Sequence, residues 1–269
     1  MRGLGVRVIS GAVLLALVVA AIWFKGLLLL GLVGVAAVLA AHEFFTMTRR
    51  AGYLPWYPAG VALALLLAMR GYLGVGAIGE AAYPDPGTGA ELLGVALVLF
   101  LVIARQGYEW SQAAAAAHGR PAGVGGAGTA RSPYLAWADI GLALGGAIYT
   151  GGLLGYAPVL AALPEGAGQA GGSAWLLMVL LGTAACDTGA YLVGSTMGRH
   201  KLIPQISPAK TWEGLAGGAL GAVVAAAALS GLLRLDLGRA VVLGLFVCIA
   251  AVVGDLCESL IKRATGVKD

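Results

Sequence analysis

The sequence predicts an all-α, polytopic integral membrane protein of about eight transmembrane helices. Three observations predict it. Of 269 residues, 59% are hydrophobic and only 11% are charged, whereas a soluble domain carries about 25% charged residues. Mean hydropathy is +0.89. Apolar runs close to the ~20 residues that span the hydrocarbon core recur along the whole chain. This composition excludes both a soluble globule and a disordered chain. The 44 glycines suit helices that pack backbone to backbone in lipid.

The expected spans, in order, are Val6–Phe24, Gly26–Phe45, Pro58–Ile78, Ala90–Ala104, Tyr134–Leu163, Ala174–Gly194, Gly214–Leu233 and Ala240–Leu260. The first follows Arg2 and Arg7 as a signal peptide would, but it is long and has no clear small-residue cleavage site, so it reads as a retained helix. The fourth is short. The fifth is long and holds Pro158, so it reads as a kinked span or as a span plus a surface piece. Tyr53, Trp56 and Tyr57 stand where an interfacial aromatic belt would. Tyr83–Gly89 is a turn, and Arg105–Pro133, rich in Ala and Gly, is a flexible loop. There is no internal repeat. The chain reads as one transmembrane domain, 1–269, with 1–173 supplying scaffold or dimer-type helices and 174–269 carrying the polar motifs.

Charge sets the expected orientation. With the N-terminus inside, the inner segments hold Arg2, Arg7, Arg49, Arg50, Arg105, Arg120, Arg131, Arg199, Lys201, Lys210, Lys262, Arg263 and Lys268. Lys25, Arg234 and Arg239 fall outside, and Arg70 lies within the third span. Lys and Arg collect on the cytoplasmic side, so both ends of this chain are expected there, in a cytoplasmic (inner) membrane. The net charge of +4 is then topological, and nucleic acid is not expected as a partner. Cys186, Cys248 and Cys257 lie in apolar runs without metal-ligand spacing and read as small buried hydrophobes.

Polar residues crowd into three places, all expected at the cytoplasmic end. Asp187, in Cys186-Asp187-Thr188-Gly189-Ala190-Tyr191, sits inside a span, where a carboxylate is costly unless paired, protonated or watered. It is either a structural acid bonded to a neighbouring helix or an acid lining a wet cavity. The second place is the stretch from Gly198 to Gly214. There Ser207-Pro208 is a helix-start signal, so Ser207 is expected to cap the seventh helix, with Lys210 and Thr211 in its first turn. A Lys, hydroxyls and free backbone N–H groups make an anion site; an ordinary capped helix with a snorkelling Lys is the plainer reading. The third is Gly254-Asp255-Leu256-Cys257-Glu258-Ser259-Leu260-Ile261-Lys262-Arg263, with Lys268-Asp269 beyond. On a helix, Asp255, Ser259 and Lys262 share one face. A Lys-Arg stop salt-bridged to Glu258 explains the cations but not Asp255. Taken together, carboxylates, hydroxyls and cations at one face suit Mg²⁺, which binds one or two carboxylates and substrate phosphates.

These residues resemble a known family. Ser259-x-x-Lys262-Arg263, four residues, then Lys268-Asp269 is similar to the signature of the phosphatidate cytidylyltransferases, also called CDP-diacylglycerol synthases. So are Cys186–Tyr191, Ile206–Gly214 and Gly254-Asp255. The resemblance implies transfer of CMP from CTP to phosphatidic acid, giving CDP-diacylglycerol and pyrophosphate in phospholipid biosynthesis. It implies Mg²⁺ as cofactor, with a second cation left open, and CTP, phosphatidic acid and the bilayer as partners. By similarity Asp255, Asp269 and Asp187 are the metal carboxylates, and Asp187, Asp255, Lys262 and Asp269 the catalytic set. Ser207, Lys210, Thr211, Glu213, Ser259, Arg263 and Lys268 would bind substrate, with Glu213 orienting Lys210. The family pattern runs on past Lys268-Asp269 into one more apolar span, so a ninth helix is expected in a C-terminal tail. The glycine-rich spans leave a homodimer open.

Three other readings compete. A CTP-using polyprenol or lipid kinase shares the substrate but not the Ser-x-x-Lys-Arg-x₄-Lys-Asp spacing. An ion-coupled transporter would use Asp187 and Asp255 as a relay, with broken helices in two repeats, and no repeat is present. A CDP-alcohol phosphotransferase needs a longer run of regularly spaced aspartates on one helix.

Overall fold

A computed structural model describes residues 2–76, 100–101, 103–105, 108, 133–166 and 170–267. Along the chain, α1 (Arg2–Phe24), α2 (Gly26–Arg50) and α3 (Tyr57–Gly76) come first. After them come α4 (Pro133–Ala147), a π-helical turn (Ile148–Gly152) and the short α5 (Tyr156–Ala161). The last part is α6 (Gly172–Met197), strands β1 (Lys201–Ile203) and β2 (Ser207–Thr211), α7 (Trp212–Leu233) and α8 (Leu237–Ala264). Five stretches among the described residues are long and apolar enough to cross a membrane: Gly26–Arg50, Tyr134–Ala161, Gly172–Met197, Trp212–Leu233 and Leu237–Ala264. Val13–Phe24 and Tyr57–Arg70 are shorter apolar helices. The protein is an all-α, multi-pass membrane protein. The expected fourth span is described only at residues 100–101 and 103–104, which are helical. The Tyr83–Gly89 turn lies outside the described residues, as does nearly all of the Arg105–Pro133 loop.

Exposed Leu, Val, Ile and Phe side chains cover these helices, as expected where lipid rather than water meets the outer surface. Their interior is built from small residues. Ala37, Ala41, Ala64, Ala68, Ala143, Ala147, Ala222, Ala226 and Ala240 are fully or almost fully buried. Without a hydrophobic drive between helices in lipid, close backbone approach is what holds them.

The chain forms two compact units. One comprises residues 30–158. In it the Asp139 carboxylate, fully buried, accepts a hydrogen bond from the Leu54 N–H at 2.7 Å. A buried acid at this depth needs such a partner. The expected break at Pro158 is displaced. The helix loosens over the π-helical turn Ile148–Gly152 and is interrupted at Gly155, and Pro158 falls in the first turn of α5. A proline there lacks only an N–H that has no helical partner anyway.

The other unit comprises residues 1–29 and 159–269, so it joins α1 to α6, α7, α8 and the hairpin. α6 and α7 pack most closely. A Cβ on Gly189 would lie inside the Gly217 carbonyl, which is why position 189 tolerates no side chain. Met178, Ala226, Leu233, Ala240 and Val247 form the core against α8.

The hairpin corrects one expectation. Ser207 does not cap the seventh helix. It lies in β2, which pairs antiparallel with β1 through Lys201 opposite Thr211 and Ile203 opposite Ser207. Residues before proline are pushed out of the helical region, which keeps Ile203 before Pro204 and Ser207 before Pro208 extended. The helix therefore starts four residues later. Thr211 is its cap, its Oγ1 accepting from the Gly214 N–H at 3.0 Å.

Candidate functional site

The C-terminal half of α6, strand β2, the start of α7 and the second half of α8 enclose a cavity of about 470 Å³. Asp187, Tyr191 and Gly194 line it from α6, Lys210 and Thr211 from β2, and Val252 and Asp255 from α8. Positions 187, 191 and 194 share a helix face by their spacing. β2 runs across the end of α7 and carries Lys210 to α8. There the Lys210 ammonium pairs with Asp255 Oδ2 and donates to the Val252 carbonyl at 3.3 Å. That carbonyl lies one turn before Asp255, so the lysine stem lies along α8 and its charge faces the cavity. The Lys210 side chain is 21% exposed and that of Asp255 54%. The cation is therefore the more embedded partner, and the carboxylate keeps free surface toward the cavity.

Behind Asp187, Cys186 on α6 touches Cys248 on α8, with the sulfurs 3.3 Å apart. Both thiols are buried, as expected for small apolar residues, whereas Cys257 is exposed, contrary to that expectation.

Four of the expected site residues thus meet: Asp187, Lys210, Thr211 and Asp255 line one cavity. Thr211 is buried and its oxygen caps α7, so it shapes the site through the helix. Ser207, Glu213, Ser259, Lys262 and Arg263 are not among the residues that line the cavity. Ser207 sits half-buried on β2. Ser259, one turn past Asp255 on α8, is half-buried. Lys262 pairs with Glu258 at 2.9 Å. Arg263 donates through Nε to the Ile206 carbonyl at 3.4 Å, tying the end of α8 to the hairpin turn. Lys268 and Asp269 lie outside the described residues.

Glu213 corrects a second expectation, because its carboxylate makes no direct contact with Lys210. Its carboxylate faces the loop before β1. Oε1 lies 2.6 Å from His200 Nδ1, and Oε2 accepts from the backbone N–H groups of Arg199 and His200, both at 3.2 Å. Glu213 anchors the entrance to the hairpin that carries Lys210. His200 was not singled out in the sequence. Nothing in the spacing of positions 200 and 213 marks them as partners, because the hairpin between them creates the contact.

Among the described residues no three His, Cys, Asp or Glu side chains cluster as a complete metal cage. Two carboxylates on one cavity are nevertheless a fitting set for Mg²⁺, which keeps several waters and takes its remaining ligands from substrate phosphates. Asp187 and Asp255 supply that pair, and Lys210 adds a cation for phosphate charge.

Comparison with known proteins identifies the family. The family described as "Cytidylyltransferase family" matches residues 5–269. A phosphatidate cytidylyltransferase of Mycobacterium bovis is 35% identical over 102 residues, covering 36% of this chain and 32% of that protein. One from Haemophilus influenzae is 37% identical over 100 residues, 35% of each chain. One from Staphylococcus aureus is 40% identical over 97 residues, 35% of this chain and 37% of the relative. The aligned stretch thus spans about a third of the relatives' length.

Proposed function

From its membership of the cytidylyltransferase family, we propose that the chain carries the activity in its relatives' names, phosphatidate cytidylyltransferase. CTP and phosphatidic acid give CDP-diacylglycerol and pyrophosphate, a step of phospholipid biosynthesis. A phosphate oxygen of the lipid forms a bond to the α-phosphorus of CTP. The bond from that phosphorus to the bridging oxygen of the β-phosphate breaks, and pyrophosphate leaves with the electron pair.

The supporting observation is the convergence of Asp187, Lys210 and Asp255, from three separate stretches of chain, on one cavity. The chemistry needs two polyanions held in line and charge neutralised as pyrophosphate departs. Asp187 and Asp255 would hold Mg²⁺, which supplies Lewis-acid charge to phosphate oxygens. Lys210 would exchange its pairing with Asp255 for a phosphate oxygen, which leaves Asp255 free to act as a ligand. Glu213 and His200 would fix the hairpin so that Lys210 returns to one position. Tyr191, Leu215 and Val252 give the cavity apolar walls, suited to a lipid substrate that reaches it from the bilayer. The charge asymmetry of the sequence supports a reading in which this cavity opens at the cytoplasmic face of the inner membrane, where CTP is available.

The test is incubation of the purified protein with labelled CTP, phosphatidic acid and Mg²⁺. Label entering the lipid phase with release of pyrophosphate, and stopping on chelation, is the expected result. CDP with a phosphorylated lipid would identify a lipid kinase instead. No transfer at all would reject the assignment.

A further inference from the structure

The unit that carries the Asp187–Asp255 cavity has a second crevice at the opposite ends of the same helices. It measures about 320 Å³ and is walled by Val19, Ile22 and Trp23 of α1, Leu177 of α6 and Leu232 of α7. Along α6, Ala174 in this crevice and Tyr191 in the other cavity are roughly 25 Å apart at 1.5 Å per residue, close to one hydrocarbon thickness of about 30 Å. The two hollows therefore open toward opposite leaflets.

Among the described residues the rim has one cation to spare. Lys25, half-buried in the one-residue link between α1 and α2, borders the crevice and has no acidic partner among the described residues. Glu165, also on the rim, is taken by Arg234 at 3.2 Å, and Arg234 further donates to the Gly166 carbonyl at 2.9 Å. Ser173 donates to the Ile22 carbonyl at 3.1 Å and pins α1 to α6. Trp23 is 78% exposed beside Lys25, as aromatic residues are at the headgroup level. A lysine that merely snorkels needs no hollow beneath it. Here Lys25 lies on the lining of a mostly apolar crevice of about 320 Å³. At that depth the surrounding solvent is lipid, and the anion within reach is a phosphodiester.

We infer that this crevice is a binding site for a bilayer phospholipid of the leaflet opposite the Asp187–Asp255 cavity, with its phosphate on Lys25 and one acyl chain between α1, α6 and α7. The site is independent of the reaction at the other end of the helices.

Native mass spectrometry of the protein in neutral detergent, titrated with phosphatidylglycerol, tests it. Parallel titrations use diacylglycerol with the same chains and inorganic phosphate. One phosphatidylglycerol per chain is expected, held more tightly than either control. Lys25→Gln should weaken it about tenfold, the weight of a hydrogen bond to a charged group. Leu177→Trp, which fills the hollow, should remove it while the melting temperature confirms the fold. Asp255→Asn should leave the adduct intact, which separates it from lipid bound at the other end. Parent-like binding by Lys25→Gln or by folded Leu177→Trp would overturn the inference. So would equal binding of either control, loss of the adduct in Asp255→Asn, or no adduct in the parent.

Discussion

Lys210 and Asp255 neutralise each other across the cavity, so each substitution exposes the charge of the other. Asp255→Asn removes one of the two carboxylates proposed to hold Mg²⁺ and frees Lys210 at once. Turnover of labelled CTP into lipid should fall at least about a hundredfold, the scale of losing a preorganised charge at a phosphoryl site. The melting temperature should hardly move, because a pair whose acid is 54% exposed contributes about 1 kcal/mol at most. Lys210→Met acts in the other direction. It leaves the Asp255 carboxylate unpaired but removes the proposed phosphate contact, so KM for CTP should rise more than kcat falls. Equal kinetics for the parent and both variants would remove this pair from the chemistry. Asp187 was legible in the sequence as a costly acid within a span. That it shares a cavity with Asp255 was not, because no local rule relates positions so far apart in the chain.

Elements position these groups, and two of them are open to direct test. The hairpin meets α7 at Thr211, a buried residue whose hydroxyl oxygen takes the Gly214 N–H. Thr211→Ala should cost about 1 kcal/mol and lower the melting temperature; Thr211→Ser, which keeps the oxygen, should restore most of it. The α6–α7 seam rests on backbone contact. Gly189→Ala pushes a Cβ against the Gly217 carbonyl, an overpacking that costs about 1–3 kcal/mol, so folded yield and turnover should fall together. Gly231→Ala, in the same pair of helices but facing open space, should leave both unchanged. The sequence placed the apolar helices well but misread the stretch around Ser207-Pro208. A proline after a hydroxyl residue serves equally well in a helix start and in an extended strand. Pairing with Lys201–Ile203, a tertiary event, decided for the strand.

For the whole molecule, the uneven distribution of Lys and Arg predicts which ends of the helices face the cytosol. In inverted membrane vesicles, a single cysteine at position 201 should react with an impermeant thiol reagent, and one at position 165 should not. Cys257 is exposed, so it is replaced first. The reverse pattern would place the Asp187–Asp255 cavity on the outer side and separate it from CTP.

The sequence by itself determined the solvent and the class. With 11% charged residues, no arrangement of this chain could cover a water-facing surface, and apolar runs of helical length leave helices as the way to satisfy the backbone in lipid. It also marked Asp187 and Asp255, because charge at membrane depth is costly enough to need a reason, and Lys210, because a lysine among hydroxyls and helix-start N–H groups makes an anion site. Only the tertiary structure decided which of the marked residues meet. It gathered those three with Thr211 around one cavity, turned Glu213 toward His200, and sent Lys262 and Arg263 to Glu258 and to the hairpin turn. The reason is physical: helix periodicity orders residues along a face within one element, whereas contacts between elements depend on how closely glycine and alanine let the backbones approach and on where a strand crosses a helix end.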